Sequence, residues 1–417
     1  MWKGEVVTSK ERILAAWNGD KADHVPMTTW SFGVTPPKDL RWELNGEDQK
    51  HWYTLRLEHI HTLPQPWTLE DDFNRVLAWQ KLGVDDLLDI SVPWSTDPEV
   101  TLKDSVSPSG EMDSRYPVLV REYQTPSGSI RHAIRQTDED HGEGWVTQPD
   151  HVPLFDDFNI PRAVEHAVSN PSHVAAIKHL YMPPDESARE WFCERAKKVK
   201  AFADKQGVPV QAWAAFGMDG VVWLTGTEGA ILLSMDDPEA FGELLDTVNE
   251  VDQARAELAA STPGVDMIVI RGWYSSTDFW SPTLFDKFVF PGIKRLAEIA
   301  HKHGKKFGCV ITTGVEMIGK RMADAGVDVL YFLDPVQDGL SVETAKQVLS
   351  DRITLVGGTN SISLQSGDSQ RIQDEVKRAL DVLGPTNRFI LHPVDSLFPD
   401  TPWEGVETMI EAWEKYR

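Results

Sequence analysis

Three polar residues, Asp89, His392 and Asp395, are the strongest candidates for proton transfer in this chain. Each lies within or directly after a short apolar run of the kind that forms a buried strand. A carboxyl group among apolar side chains has a raised pKa, and an imidazole titrates near neutral pH without any shift. These residue types at these positions therefore predict catalytic proton exchange. A structural hydrogen bond to a neighbouring loop is the alternative role for each of them.

Aromatic side chains are frequent at similar positions. The chain contains 16 Trp among 417 residues, and several lie beside predicted strand ends, which favours an aromatic-lined pocket. Filling of a large core is the alternative role of these tryptophans. The predicted substrate-binding residues are Trp30, Phe32, Trp94, Phe216, Arg271, Trp273, Tyr274 and Asp334.

Several common catalytic motifs are missing from the sequence. It contains no G-x-x-x-x-G-K-[ST], no H-E-x-x-H and no G-x-S-x-G, so a P-loop, a zincin site and a nucleophile elbow have no support. His301 and His303 lie beside lysines at a predicted helix end, which is typical of a solvated surface rather than of a metal site.

The elements that position the candidate residues follow from short apolar runs that alternate with amphipathic stretches. The predicted strands are 25–30, 86–92, 208–215, 266–271, 306–312, 328–333, 353–358 and 388–393. Eight strands separated by helices predict an α/β fold, a closed (β/α)8 TIM barrel whose reacting groups lie at the C-terminal ends of the strands. No linker divides the chain, so residues 1–417 are predicted to form a single domain.

Two segments depart from this alternation. Thr8 and Glu11 form a predicted capping box ahead of a first helix that Gly19 ends, and the segment 36–82 also has a helical pattern. Together they predict an N-terminal helical extension. The segment from about residue 100 to residue 150 instead contains short strand patterns at 118–123, 130–135 and 145–147. These patterns predict a β-rich insertion after the second barrel strand.

Charge and cysteine content argue against several classes of protein. Lys and Arg number 41 against 65 Asp and Glu, a formal net charge of −24, and so acidic a surface disfavours nucleic acid and anionic membranes as partners. No run of residues has the length of a membrane span or the apolar core of a signal peptide. Two cysteines, Cys193 and Cys309, fit a reducing compartment. We expect a cytoplasmic enzyme, and the composition leaves its oligomeric state open.

Several stretches of the sequence resemble the uroporphyrinogen decarboxylase superfamily. They occur in the family's order and span nearly the whole chain, and the (β/α)8 barrel that the resemblance implies agrees with the strand count. The similar stretches are SKERILAAWNG (9–19), DHVP (23–26), FWSPTLFDKFVFP (279–291), AGVD (325–328) and PDTPWEGV (399–406).

This chain differs from the decarboxylases of the superfamily in the loop that binds their substrate. Those enzymes hold the carboxylates of their substrate with an arginine-rich N-terminal loop, whereas the matching loop here, 29–34, contains no Arg. Asp89 does match the family's strand-2 aspartate. Without counter-charges in the loop, and with a net charge of −24, uroporphyrinogen is not the expected substrate.

This chain differs from the zinc-dependent thiol methyltransferases of the superfamily at the metal-ligand positions. That branch binds zinc through a His-x-Cys after strand 5 and a Cys after strand 8, and this chain has Ile311, Thr313 and Asp395 at those positions. We therefore predict no metal at that site. A metal held by His392, Asp395 and Asp334 is the alternative.

The remaining branch of the superfamily comprises corrinoid-linked methyltransferases. The resemblance implies an O-demethylase component that passes methyl from a small methoxylated aromatic donor to a corrinoid (cobalamin) on a separate carrier protein, with no cofactor bound by this chain. Asp89, Asp334, His392 or Asp395 would protonate the leaving group. A decarboxylase or lyase that holds a small carboxylic acid with Arg271 is the enzymatic alternative, and a non-catalytic binding barrel is the other.

Overall fold

The computed structural model describes residues 7–31, 37–50, 68–112, 114–136, 151–157, 159–336, 339–349, 351–394, 396–398 and 400–417. The strands are β1 (Arg41–Leu44), β2 (Glu47–Lys50), β3 (Leu88–Ser91), β4 (Thr101–Ser107), β5 (Val118–Thr125), β6 (Gly128–Arg135), β7 (Ala163–Glu165), β8 (Val210–Ala215), β9 (Met267–Ile270), β10 (Lys306–Val310), β11 (Val329–Leu333), β12 (Thr354–Asn360) and β13 (Phe389–Val394). The helices are α1 (Ser9–Asn18), α2 (Leu69–Lys81), α3 (Asn159–Arg162), α4 (Val174–Leu180), α5 (Glu186–Gln206), α6 (Met218–Thr225), α7 (Thr227–Asp236), α8 (Pro238–Ser261), α9 (Pro282–Leu284), α10 (Phe290–Lys302), α11 (Val315–Ala325), α12 (Val342–Val348), α13 (Ser361–Gln365), α14 (Ser369–Leu383) and α15 (Trp403–Tyr416). Within these ranges, none of the helices combines the length and the apolar character that crossing a bilayer requires.

A curled parallel sheet of seven strands forms the centre of the fold, in the order β13-β12-β11-β10-β9-β8-β3. These strands confirm seven of the eight predicted ones. The predicted strand 25–30 lies along the other side of β13, where Met27 pairs with Leu391 and Ser31 with Leu397 in isolated parallel bridges. The α/β class and a barrel-like arrangement are therefore confirmed, with the first segment joined by bridges instead of a continuous ladder.

Side chains connect this first segment to β3. The backbone N–H of Met27 donates to the carboxylate of Asp85 at 3.4 Å, and Asp85 also accepts from Arg12 of α1 at 2.5 Å. Arg75 of α2 donates to the backbone carbonyl of Leu87 at 2.9 Å, so that carbonyl is satisfied by a side chain.

Side chains of the parallel strands alternate between the barrel interior and the layer under the helices. In β9, Met267 and Val269 belong to the interior cluster, whereas Ile268 and Ile270 pack into the larger outer cluster. This is the period of two that a strand follows when both of its faces are buried, and it explains why the strand sequences are continuous apolar runs.

Helix α1 covers the N-terminal end of the barrel. Thr8 caps the helix by accepting from the N–H of Glu11 at 3.2 Å, and the Glu11 carboxylate accepts from the N–H of Thr8 at 2.8 Å, so the predicted capping box is confirmed. Ile13 and Trp17 are fully buried and join the interior cluster. The hydroxyl of Thr354, at the start of β12, donates to the backbone of α1. The C-terminal ends of the strands are therefore the end at which a site can form.

The helix predicted over 36–82 is wrong for residues 41–50. Strands β1 and β2 form an antiparallel hairpin there, turning at Asn45 and Gly46, which have φ values of 57° and 84°. Asn-Gly is the pair that two-residue hairpin turns with positive φ prefer. In the rest of the described segment, the predicted helical pattern corresponds to α2, which Thr68 caps.

An antiparallel sheet of four strands, in the order β4-β5-β6-β7, lies between β3 and β8 along the chain. The strand patterns predicted at 118–123 and 130–135 correspond to β5 and β6. The third predicted pattern, 145–147, lies outside the described residues. After β6 the segment 151–157 brings Asp157 to the end of β9, where it pairs with Arg271.

Candidate active site

A buried aspartate lies in the barrel interior. Asp89 of β3 pairs in register with Gln211 of β8 and is only 2% exposed. Its Oδ1 atom accepts hydrogen bonds from Gln211 Nε2 and Trp213 Nε1, each at 2.6 Å, and Gln211 Oε1 accepts from the hydroxyl of Tyr331 at 2.8 Å. Burial raises the pKa of Asp89, against the opposing effect of Arg75 and the two donors. Asp89 is thus a fixed carboxyl group that holds a proton to higher pH than a free one.

One arginine serves three buried aspartates beside this centre. Arg75 donates to both oxygens of Asp86, at 2.8 and 2.7 Å, and to Asp72 at 3.2 Å. Its Nη2 atom lies 3.7 Å from Asp89 Oδ2. Burial raises the pKa of Asp86 to about 7, because a charged carboxylate is costly in an apolar interior. A second carboxyl group with a raised pKa therefore lies close to Asp89, in an ion pair with Arg75.

Trp30, which follows the first bridge to β13, is surrounded by aromatic rings. Its ring centroid lies 5.6 Å from that of Trp213 and 5.5 Å from that of Trp273, with interplanar angles of 9° and 16°. Phe332 of β11 lies 5.4 Å from Trp30, and the His392 imidazole stacks on Phe332 at 4.8 Å. This aromatic stack offers flat apolar faces beside an imidazole.

The polar centre and three rings of the aromatic stack, Trp30, Trp213 and Phe332, line one narrow cavity with a volume of about 20 Å³. There the Nδ1 atom of His392 lies 3.0 Å from the hydroxyl oxygen of Thr28. Of the site residues predicted from the sequence, the cavity brings together Trp30, Asp89 and His392. The complete lining consists of Thr28, Thr29, Trp30, Asp86, Leu87, Asp89, Gln211, Trp213, Tyr331, Phe332 and His392.

A second polar cluster lies at the C-terminal end of β9. The Arg271 guanidinium lies between two indoles, 4.9 Å from the Trp223 centroid and 4.8 Å from the Trp273 centroid. Arg271 forms an ion pair with Asp157, and Trp223 Nε1 donates to the same carboxylate at 2.7 Å. Arg271 is thus held by charge and by cation–π contacts, and its charge is already matched.

Asp219 completes this second cluster. It follows β8, is fully buried, and accepts from the backbone N–H of Tyr274 at 2.9 Å and of Trp273 at 3.2 Å. Burial, with the neighbouring Asp157, raises the pKa of Asp219 to about 8. Trp273 connects the two parts of the site, since it contacts both Arg271 and the aromatic stack.

Two of the predicted aromatic residues lie apart from Trp30. Trp94 and Phe216 pack edge to face, with centroids 5.7 Å apart, in a cluster with Phe155 and Tyr181. The Arg255 guanidinium lies 4.4 Å from the Phe216 centroid and 5.5 Å from the Trp94 centroid. Of the five predicted aromatic residues that the structure describes, only Trp30 therefore lines the cavity around Asp89.

Asp334 and Tyr274 make local contacts at the strand ends. The Asp334 carboxylate accepts from Asn360 Nδ2 at 2.7 Å and from the N–H of Val336 at 2.8 Å. The ring of Tyr274 packs against Phe279 with centroids 5.4 Å apart. Both residues lie near the barrel mouth, but neither lines the cavity around Asp89.

Phe32 and Asp395 lie outside the described residues.

At the position of the superfamily's first zinc ligand, Ile311 is fully buried, and its side chain has no donor atom. Burial raises the pKa of the nearby Cys309 thiol, which opposes the thiolate form that zinc requires. In the part of the chain that the structure describes, no group of three or more His, Cys, Asp or Glu side chains is arranged to hold a metal ion.

Five residues of this region were not predicted from the sequence. Four of them lie inside apolar strand runs: Gln211, Trp213, Tyr331 and Phe332. For Gln211 and Trp213, the sequence does contain a signal, since a polar Gln two positions before a Trp places both on the same face of a strand. Asp157 carries no local signal, because its partner Arg271 is 114 positions away.

This chain is similar to known proteins in structure and in sequence. A methyltransferase from Methanosarcina mazei has 19% sequence identity to this chain and a TM-score of 0.55, over 99% of this chain and 99% of that chain. A 3-keto-D-glucoside 4-epimerase from E. coli aligns over 60% of this chain and 95% of its own, at 11% identity and a TM-score of 0.35. No curated protein matches the sequence. Residues 157–416 match the family model of uroporphyrinogen decarboxylase (URO-D), and the chain therefore belongs to that family.

Proposed function

We propose that this protein is a methyltransferase that takes a methyl group from a small methoxylated aromatic donor and delivers it to a corrinoid on a separate carrier protein. The observation that carries the proposal is the stack of Trp30, Trp213 and Trp273 directly beside the buried carboxyl group of Asp89. Membership of the URO-D family supports an enzyme of this superfamily.

The aromatic stack suits the donor. Parallel indoles present flat apolar faces, and an aromatic ring gains both dispersion and offset stacking when it lies against them. The cavity has a volume of about 20 Å³, about the space of one water molecule, so the donor ring enters only if the side chains around it move apart. A single substituted ring requires less of this movement than a large substrate would.

The carboxyl group of Asp89 suits the leaving group. The methyl carbon bonds to an electron pair of the reduced corrinoid, and the donor oxygen keeps the electrons of the broken bond. That oxygen needs a proton, which Asp89 would supply as the general acid. Gln211 and Trp213 hold the carboxyl group in one orientation, and His392 lies in the same cavity.

Arg271 argues against the decarboxylase alternative. A substrate carboxylate would need a free counter-charge, but Arg271 is already paired with Asp157 and is packed between Trp223 and Trp273. An incoming acid would have to displace Asp157 and would also face Asp219. Methyl transfer reacts at the uncharged methoxy group and needs no carboxylate bound to Arg271, so it requires no such displacement even when the donor ring also carries a carboxyl group.

The test is an absorbance assay with cob(I)alamin as the methyl acceptor, both free and bound to a corrinoid carrier protein. Incubation with a panel of methoxybenzenes and methoxybenzoates is expected to give methylcobalamin and the matching phenol for at least one donor. Trp30→Ala should reduce the rate with that donor, because the stack loses its central ring. The absence of methylcobalamin with every donor, together with release of CO2 from an acid, would support the decarboxylase instead.

A further inference from the structure

The loop that follows β9 is fastened from two sides. On one side, Asp219 accepts the backbone N–H groups of Trp273 and Tyr274. On the other side, Arg271 pairs with Asp157, which arrives from the segment that follows the antiparallel sheet. Three segments distant in sequence thus meet at one short loop.

This loop determines where the indole of Trp273 lies. That indole stacks on Trp30 with its centroid 5.5 Å away, and it also contacts the Arg271 guanidinium and Phe332. Asp219 is 0% exposed and bonds to the backbone N–H of Trp273 itself. Moving Asp219 would therefore move the aromatic stack.

We propose that Asp219 is a positioning residue that fixes Trp273 over Trp30, and that Asp157, Arg271 and Asp219 together make this arrangement sensitive to pH. The inference rests on the proposed function, since it assigns Asp219 to the construction of the proposed donor site. Asp219 acts through Trp273, and it does not line the cavity around Asp89.

The pH sensitivity follows from the balance of charges. Arg271 forms its ion pair with Asp157, while Asp219 is buried beside them and feels both charges at longer range, so Asp219 carries a proton until the pH rises to about 8, its pKa. Above that pH both carboxylates are charged and compete for Arg271, which shifts the guanidinium between Trp223 and Trp273. The titratable and charged groups that interact with Asp219 are Asp157, Arg271, Tyr274 and Cys309.

The experiment is ¹⁹F NMR on the donor-free protein labelled with 5-fluorotryptophan. Trp223→Phe and Trp273→Phe variants identify the two resonances among the 16 tryptophans. We expect both resonances to titrate with a common midpoint near pH 8, the pKa of Asp219. Because no donor is present, the result is independent of whether methyl transfer is observed.

Two substitutions decide the assignment. Asp219→Asn should abolish the titration of both resonances. Asp157→Asn removes the neighbouring charge and frees Arg271 for Asp219, so the midpoint should move to lower pH. The Asp157 side chain is 35% exposed, which makes this variant the safer one for folding. Asp204→Asn, an exposed aspartate on α5, is the matched control and should leave the midpoint unchanged.

The outcomes are distinct. A Trp273 resonance that does not move between pH 6 and 10, or a midpoint that is the same in wild type and Asp157→Asn, would overturn the proposal. If methyl transfer is observed, its rate in the wild type should also decline as the pH rises, with the midpoint found by NMR. Asp219→Asn should raise the KM for the donor more than it lowers kcat. A change in kcat alone would contradict the positioning role.

Discussion

Asp89 is fixed by two donors on the neighbouring strand and lies close to the buried guanidinium of Arg75. The sequence indicated this residue because it lies in the second predicted barrel strand and matches the superfamily's strand-2 aspartate. It did not indicate the partners, since Gln211 and Trp213 come more than 120 positions later. A polar residue in an apolar run can thus be predicted as important, while its hydrogen bonds depend on the strand register.

Asp89→Asn tests the proton donor at the residue scale. The amide has nearly the same shape, and its oxygen can still accept from Gln211 and Trp213, so the variant should fold. Loss of a general acid costs about 100-fold or more in turnover, and we expect kcat to fall by that amount with little change in the donor KM. Steady-state kinetics measures both, with Asp204→Asn as the control. An Asp89→Asn variant with wild-type kcat would remove Asp89 from the mechanism.

At the scale of elements, the apolar runs predicted the parallel strands well because both faces of those strands are buried. The hairpin of β1 and β2 was missed because its signal is short. Only Trp42 and Leu44 alternate with exposed residues, and the Asn45-Gly46 turn was the stronger indication. The first predicted strand differs for another reason, since side chains such as Asp85 bond to it on the side facing β3.

The ion pair that joins α1 to the segment before β3 gives a prediction for stability. Arg12 is 8% exposed and bonds to Asp85, which is 3% exposed. Removing one partner of a buried ion pair costs about 3–5 kcal/mol, so Arg12→Ala should lower the free energy of unfolding by about 3 kcal/mol. Urea denaturation measures the change.

The matched control is Arg352→Ala, which breaks an exposed pair with Asp324. Exposed pairs contribute at most about 1 kcal/mol, so this variant should unfold almost as the wild type does. Equal losses in the two variants would contradict the role of Arg12 in joining α1 to the barrel.

At the scale of the whole molecule, α1 covers the N-terminal end of the barrel, and the candidate site is built from strand interiors and from the opposite end. The end at which the site forms could be predicted from the fold class alone. The division of the aromatic residues into two clusters could not. Trp94 and Phe216 follow barrel strands as Trp273 does, yet they pack around Arg255 because Phe155, from the segment after the antiparallel sheet, meets them there.

The most direct test of the central claim uses a methoxybenzoate that carries ¹³C in both its methyl and its carboxyl group. The protein is incubated with this donor and with cob(I)alamin on a corrinoid carrier protein, and the two labels are followed by NMR. We expect the methyl label to move to the corrinoid while the carboxyl label stays on the resulting hydroxybenzoate. Release of the carboxyl label as ¹³CO2, with the methoxy group intact, would contradict the proposed methyl transfer.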